Sequence, residues 1–125
     1  APLRLGQLQR YLNAAEQLGV LSLIYTGLSS GLRQCELITL SWADFHVRYK
    51  YILRGQRLLT LNDKAGYLLK RIPETASSYV FLNPKTEAPY KLHEFYYLHK
   101  KILKQARLPW VAFRDLQRQC MEVGI

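Results

Sequence analysis

No apolar run in the chain approaches the ~18 residues that a membrane-spanning helix requires, and Ala1-Pro2-Leu3-Arg4 does not read as a secretory signal. Cysteine is scarce. Cys35 and Cys120 each fall in a segment that reads as helical, so two buried free thiols are expected rather than a disulfide. A cytoplasmic, reducing compartment follows as an expectation. No group of potential ligands has zinc-like spacing. His46, His93 and His99 are separated in sequence, with His46 and His93 read as surface residues and His99 as packed. Low-complexity tracts and internal repeats are absent. Acid is also in short supply: nine Asp and Glu stand against 18 Lys and Arg, a net charge of +9.

The bases are unevenly placed. Residues 1–45 hold three Arg and three acids, residues 46–90 hold eight Lys and Arg against three acids, and residues 91–118 hold seven against two. Two basic segments folded against a neutral one predict a basic face, and phosphate is the partner that such a face fits. The 125 residues suit a single domain, and 49% hydrophobic content suits a folded core.

Periodicity gives the elements. Leu8, Tyr11, Leu12, Ala15 and Leu18 form one stripe of a helix over Gln7 to Leu18, ended by Gly19. Val20 to Leu28 is almost wholly apolar and predicts a buried helix. Ser29-Ser30-Gly31 is a break in which Ser30 can cap a short helix from Arg33 to Leu40. Val47 to Leu53, a turn at Arg54-Gly55-Gln56, and Arg57 to Leu61 predict a β-hairpin. Asn62 is placed to cap a helix from Lys64 to Ile72, which Pro73 stops. Tyr79 to Leu82 suggests a short third strand. Leu92 to Ala106 has helical spacing, and a last helix is expected over Phe113 to Val123. The fold class is α+β, mainly helical, with a small antiparallel sheet.

Residues 30 to 45 read Ser-Gly-Leu-Arg-Gln-Cys-Glu-Leu-Ile-Thr-Leu-Ser-Trp-Ala-Asp-Phe. This resembles the first catalytic box of the tyrosine recombinases, the phage-integrase family: Gly-Leu-Arg, two residues, Glu-Leu, then Leu-x-Trp-x-Asp and a hydrophobe. The later order is similar too. Arg57-Leu58-Leu59-Thr60-Leu61 stands where that family has an Arg-led strand, Val80-Phe81 where it has a hydrophobe-Phe segment, and Arg114-Asp115-Leu116-Gln117-Arg118 where it has a His-x-Leu-Arg box.

The resemblance implies a chemistry. In the family a tyrosine hydroxyl attacks a DNA phosphodiester without metal, nucleotide or other cofactor. Cationic donors hold the phosphoryl oxygens, and guanidinium suits this because it is planar and always charged. By position, Arg33 matches the first arginine. The hairpin lysine, which serves the leaving oxygen as an acid, has no match. Arg54 lies nearest to it, but guanidinium does not readily release a proton, and Lys50 is a weaker substitute. Arg114 stands in place of the motif histidine and Gln117 in place of the second arginine. Arg118 is one residue further on, ~100° round a helix. The expected reading is one partial catalytic-type domain over residues 1–125, without the family's N-terminal core-binding domain and with the nucleophilic tyrosine expected only beyond Ile125.

These residues predict a DNA-binding domain for site-specific recombination or integration that does not itself cleave. Its partners would be duplex DNA and other recombinase protomers, with no small-molecule substrate and no membrane, in a bacterial or phage-encoded setting close to the nucleoid. Candidate phosphate contacts are Arg33, Arg54, Arg57, Lys91, Arg114 and Arg118; Lys100, Lys101 and Lys104 read as a solvated helix face. Tyr49, Tyr51, Tyr96 and Tyr97 are placed to flank a nucleic-acid path, although half-buried strand and helix positions explain them better. Two other readings stay open: a piece of an active integrase whose later segment supplies the tyrosine, and a basic RNA- or protein-binding module.

Overall fold

In the computed structural model, residues 3–46, 48, 50–73 and 75–124 are described. Helices α1 (Leu5–Gln17) and α2 (Leu21–Ser30) precede a five-residue α3 (Gln34–Ile38) and a 3-10 turn (Trp42–Asp44). Strands β1 (Phe45–His46), β2 (Tyr51–Arg54) and β3 (Arg57–Thr60) form an antiparallel sheet in that order. Helices α4 (Asp63–Lys70), α5 (Leu92–Gln105) and α6 (Phe113–Val123) follow. The fold is therefore mainly helical with a small antiparallel sheet.

Three helices start with one device. The N–H of the residue before the helix donates to a side chain three residues on: Arg4 to Gln7 Oε1 at 2.9 Å, Arg33 to Glu36 Oε1 at 2.9 Å, and Lys91 to Glu94 Oε1 at 2.8 Å. This is half of a capping box. A base sits at each of the three starts, and its side chain is left exposed. The device also explains why α1 begins before Gln7. At α4, Asn62 Oδ1 accepts from the Ala65 N–H at 2.8 Å, the cap that its position predicts. Ser30 differs from expectation. It is the last residue of α2, and its Oγ accepts from the Leu32 N–H at 3.3 Å rather than capping α3.

The core joins the apolar stripes of the four longest helices. Tyr11, Ala15, Ile24, Leu28, Phe95, Ile102, Leu116 and Cys120 are all fully buried. Gly27 is needed there: a Cβ would lie 2.6 Å from Leu37 Cδ2 and 3.0 Å from Phe113 Cζ, so α2, α3 and α6 meet because the residue has no side chain. One polar seam crosses this core. The Tyr11 hydroxyl lies 2.7 Å from His99 Nδ1, and His99 Nε2 lies 2.7 Å from the Val111 carbonyl oxygen. A carbonyl only accepts, so Nε2 carries the proton and Nδ1 accepts from Tyr11. Burial pushes the His99 pKa below its ordinary value, against the opposing effect of the Val111 hydrogen bond.

Several expectations need correction. The third strand is β1, not Tyr79 to Leu82. Tyr79 makes only an isolated bridge to Ser41, flanked by Trp42 N–H to Ser78 O and Val80 N–H to Leu40 O, both 2.9 Å. Val80 and Phe81 are both buried, so this stretch anchors the chain instead of alternating as a strand face would. Strand β2 begins at Tyr51; Val47 and Tyr49 lie outside the described residues. Cys120 is buried and burial raises its thiol pKa to about 11, but Cys35 is exposed. It stands ~200° round α3 from the fully buried Leu37, on the solvent side. His46 is half-buried and stacks on Tyr51 at 4.5 Å, whereas His93 is exposed.

Candidate nucleic-acid interface

Gly31 is the hinge of the site. It ends α2 in the left-handed region at φ 80°, a conformation that glycine adopts without penalty. The chain turns there and delivers Arg33 to the start of α3, where its side chain is exposed. Beside the turn lies an open cleft of about 430 Å³, lined by Gly31, Arg114, Gln117, Arg118, Met121 and Glu122. Arg114 and Arg118 are four residues apart on α6, hence on one face. Among the described residues neither makes an ion pair or hydrogen bond, and both are exposed.

The hairpin arginines are held differently. Arg57 pairs with Glu36, and its other nitrogen reaches the Gly31 carbonyl at 3.4 Å. Glu36 thus accepts from the Arg33 N–H and the Arg57 guanidinium at once. Burial would raise the Glu36 pKa, but these two hydrogen bonds and the two charges outweigh it and hold the carboxyl below its ordinary value. The sequence reading gives Glu36 no role. Its place three residues after a helix start was the available signal. Arg54 donates to the Thr39 carbonyl at 3.0 Å, the Thr39 hydroxyl at 2.9 Å and the Glu36 carbonyl at 3.4 Å, with Asp44 at 3.7 Å. It therefore satisfies the last carbonyls of α3.

Gln117, at the second-arginine position, also faces inward. Its Nε2 donates to the Gly27 carbonyl at 2.7 Å and to the Leu32 carbonyl at 2.6 Å. It ties α6 to both sides of the Gly31 turn. Lys50 pairs with Asp63 at the start of α4, and this bond lowers the Asp63 pKa. Lys91 belongs to another neighbourhood, where Glu94 links its N–H to the side chain of Asn83. The cleft thus brings Arg114 and Arg118 together beside Gly31, whose carbonyl Arg57 reaches, while Arg33 stands exposed two residues further along the chain. Glu36 and Glu122 are the acids facing them. Tyr96 and Tyr97, read as half-buried, are exposed. Among the described residues, no three His, Cys, Asp or Glu side chains are grouped to hold a metal, and no helix is long and apolar enough to cross a membrane.

No protein-family model matches the chain. No curated protein matches it either. Among solved structures, the chain is similar to the crystal structure of XerA recombinase, with a TM-score of 0.82 at 16% sequence identity, over 95% of this chain and 47% of that one. The chain therefore spans about half the length of the recombinase that it matches. At such low identity the likeness is one of fold: helices and three short strands follow a recombinase-like path from α1 to α6.

Proposed function

We propose that this domain binds duplex DNA through the basic corner around Gly31, as a recombinase-type DNA-binding module that does not cleave DNA by itself. The observation that carries the reading is the pair Arg114 and Arg118: two exposed guanidiniums without internal partners, on the wall of a cleft that adjoins the turn leading to Arg33. Guanidinium groups contact phosphate oxygens bidentately, and such contacts supply most sequence-independent affinity for DNA. The recombinase-like fold and the net charge of +9 support the same partner.

The lack of cleavage rests on Gln117. A transition state at phosphorus needs preorganised donors, and removing one such donor typically costs about 100-fold to 1,000-fold in rate. Here the residue at the second-arginine position spends its amide on two backbone carbonyls. Arg54, nearest to the position of the acid, is bound into the end of α3. Fluorescence anisotropy with a labelled duplex tests the binding: affinity should fall steeply between about 50 mM and about 200 mM salt, and Arg33→Ala should weaken it. Salt-independent affinity, or none, overturns the reading. A covalent protein–DNA adduct on a nicked substrate designed to trap phosphotyrosine would overturn the second half.

A further inference from the structure

The outer face of α5 carries a second surface that the Gly31 corner does not use. Tyr96, Tyr97 and Trp110 are 45%, 61% and 55% exposed. Their rings touch in series: Tyr97 and Tyr96 at 5.4 Å between centroids, Tyr96 and Trp110 at 5.5 Å. Lys100, three and four residues beyond the tyrosines, Lys101, four beyond Tyr97, and Lys104 are all exposed on the same helix. Helical spacing places Lys100 and Lys101 beside the rings, with Lys104 one turn further along. Glu94 is the one acid of α5, and it is occupied by Lys91 and Asn83.

Exposed aromatics need a reason, because large apolar groups gain by burial. One of the three rings is anchored to the core. Trp110 packs at 5.5 Å on His99, whose two ring nitrogens are both hydrogen-bonded inside the core. An anchored ring loses little freedom when something settles on it. A protein partner would find three lysines in the patch, a residue type depleted from interface cores. Unpaired nucleobases fit better: they stack on aromatic faces while lysines meet the adjoining phosphates. A duplex hides its base faces, so this surface selects a single strand.

We propose that the Tyr96–Tyr97–Trp110 shelf, flanked by Lys100, Lys101 and Lys104, binds single-stranded DNA by base stacking. The choice of DNA over RNA rests on the proposed function; the stacking itself does not. The probe is a labelled oligo-dT of about 16 nucleotides, with a duplex and an oligo-U of equal length beside it. Changing Tyr96, Tyr97 and Trp110 together to Ala should weaken oligo-dT binding about tenfold or more and leave duplex binding unchanged. Arg114→Ala with Arg118→Ala should do the reverse. Should the triple variant fold poorly, Tyr97→Leu alone, at the most exposed ring, should still weaken oligo-dT binding by about fivefold. Wild-type affinity in the shelf variants, or no oligo-dT binding by the wild type, overturns the proposal, as does preference for oligo-U. A wild type that binds the duplex but not oligo-dT would sink this inference alone. The opposite result would sink only the Gly31 reading.

Discussion

The hairpin and the last helix each carry two arginines, and the fold treats the two pairs differently. Arg54 and Arg57 reach back to Thr39, Glu36 and the Gly31 carbonyl, so they hold α3 against the sheet. Arg114 and Arg118 hold nothing and face the cleft. A positive charge is thus structural or available depending on whether carbonyls and carboxylates already surround it. Net charge counts both kinds equally, which is why charge alone overstates a binding surface. Gln117 belongs with the structural pair although it lies between the two free arginines in sequence. One turn of α6 therefore both braces the Gly31 corner and presents its cations.

Substitutions that cross this division should separate stability from binding. Gln117→Ala should have the largest effect on stability, about 2–4 kcal/mol, because it strips the Gly27 and Leu32 carbonyls of a donor. Thermal unfolding would show a Tm lower by roughly 10 °C. Arg54→Ala should cost about 2 kcal/mol by exposing the end of α3, with a matching drop in the urea midpoint. If Arg54 were instead a free phosphate contact, its loss would leave the midpoint in place and weaken DNA binding.

The core seam gives a smaller, pH-dependent effect. The unfolded chain protonates His99 near its ordinary value of 6.5, whereas the folded chain resists protonation to a lower pH. Between those two values the unfolded state holds more protons. Stability is therefore full above pH 6.5 and declines as the pH falls below it. Tyr11→Phe removes the donor to Nδ1, so it should cost about 1 kcal/mol at neutral pH. Denaturant titrations across the range would check both statements.

Much of this fold was legible because local signals agreed. Apolar stripes at helical spacing gave α1 and α5, and Asn62 announced the start of α4. The last helix, expected over Phe113 to Val123, has those bounds. Tyr79 to Leu82 misled because β-prone residues need a partner strand of some length, and only one bridge forms there. Cys35 misled because a five-residue helix buries so narrow a face. At the candidate site, the sequence singled out the arginines but could not sort them. That sorting depends on Thr39 and Glu36 lying 15 and 21 residues from their guanidinium partners. The aromatic shelf was hidden for a related reason: Trp110 meets Tyr96 only across the α5–α6 connection, 14 residues away in sequence.

The most direct test is the salt dependence of duplex affinity for the wild type and for Arg114→Ala with Arg118→Ala. Each phosphate contact contributes about 0.9 to the slope of log affinity against log salt. The double variant should therefore lose about two units of slope while keeping its Tm, since exposed substitutions usually stay within about 0.5 kcal/mol. An unchanged slope would mean that these two guanidiniums do not meet DNA, and the Gly31 corner would lose its assignment.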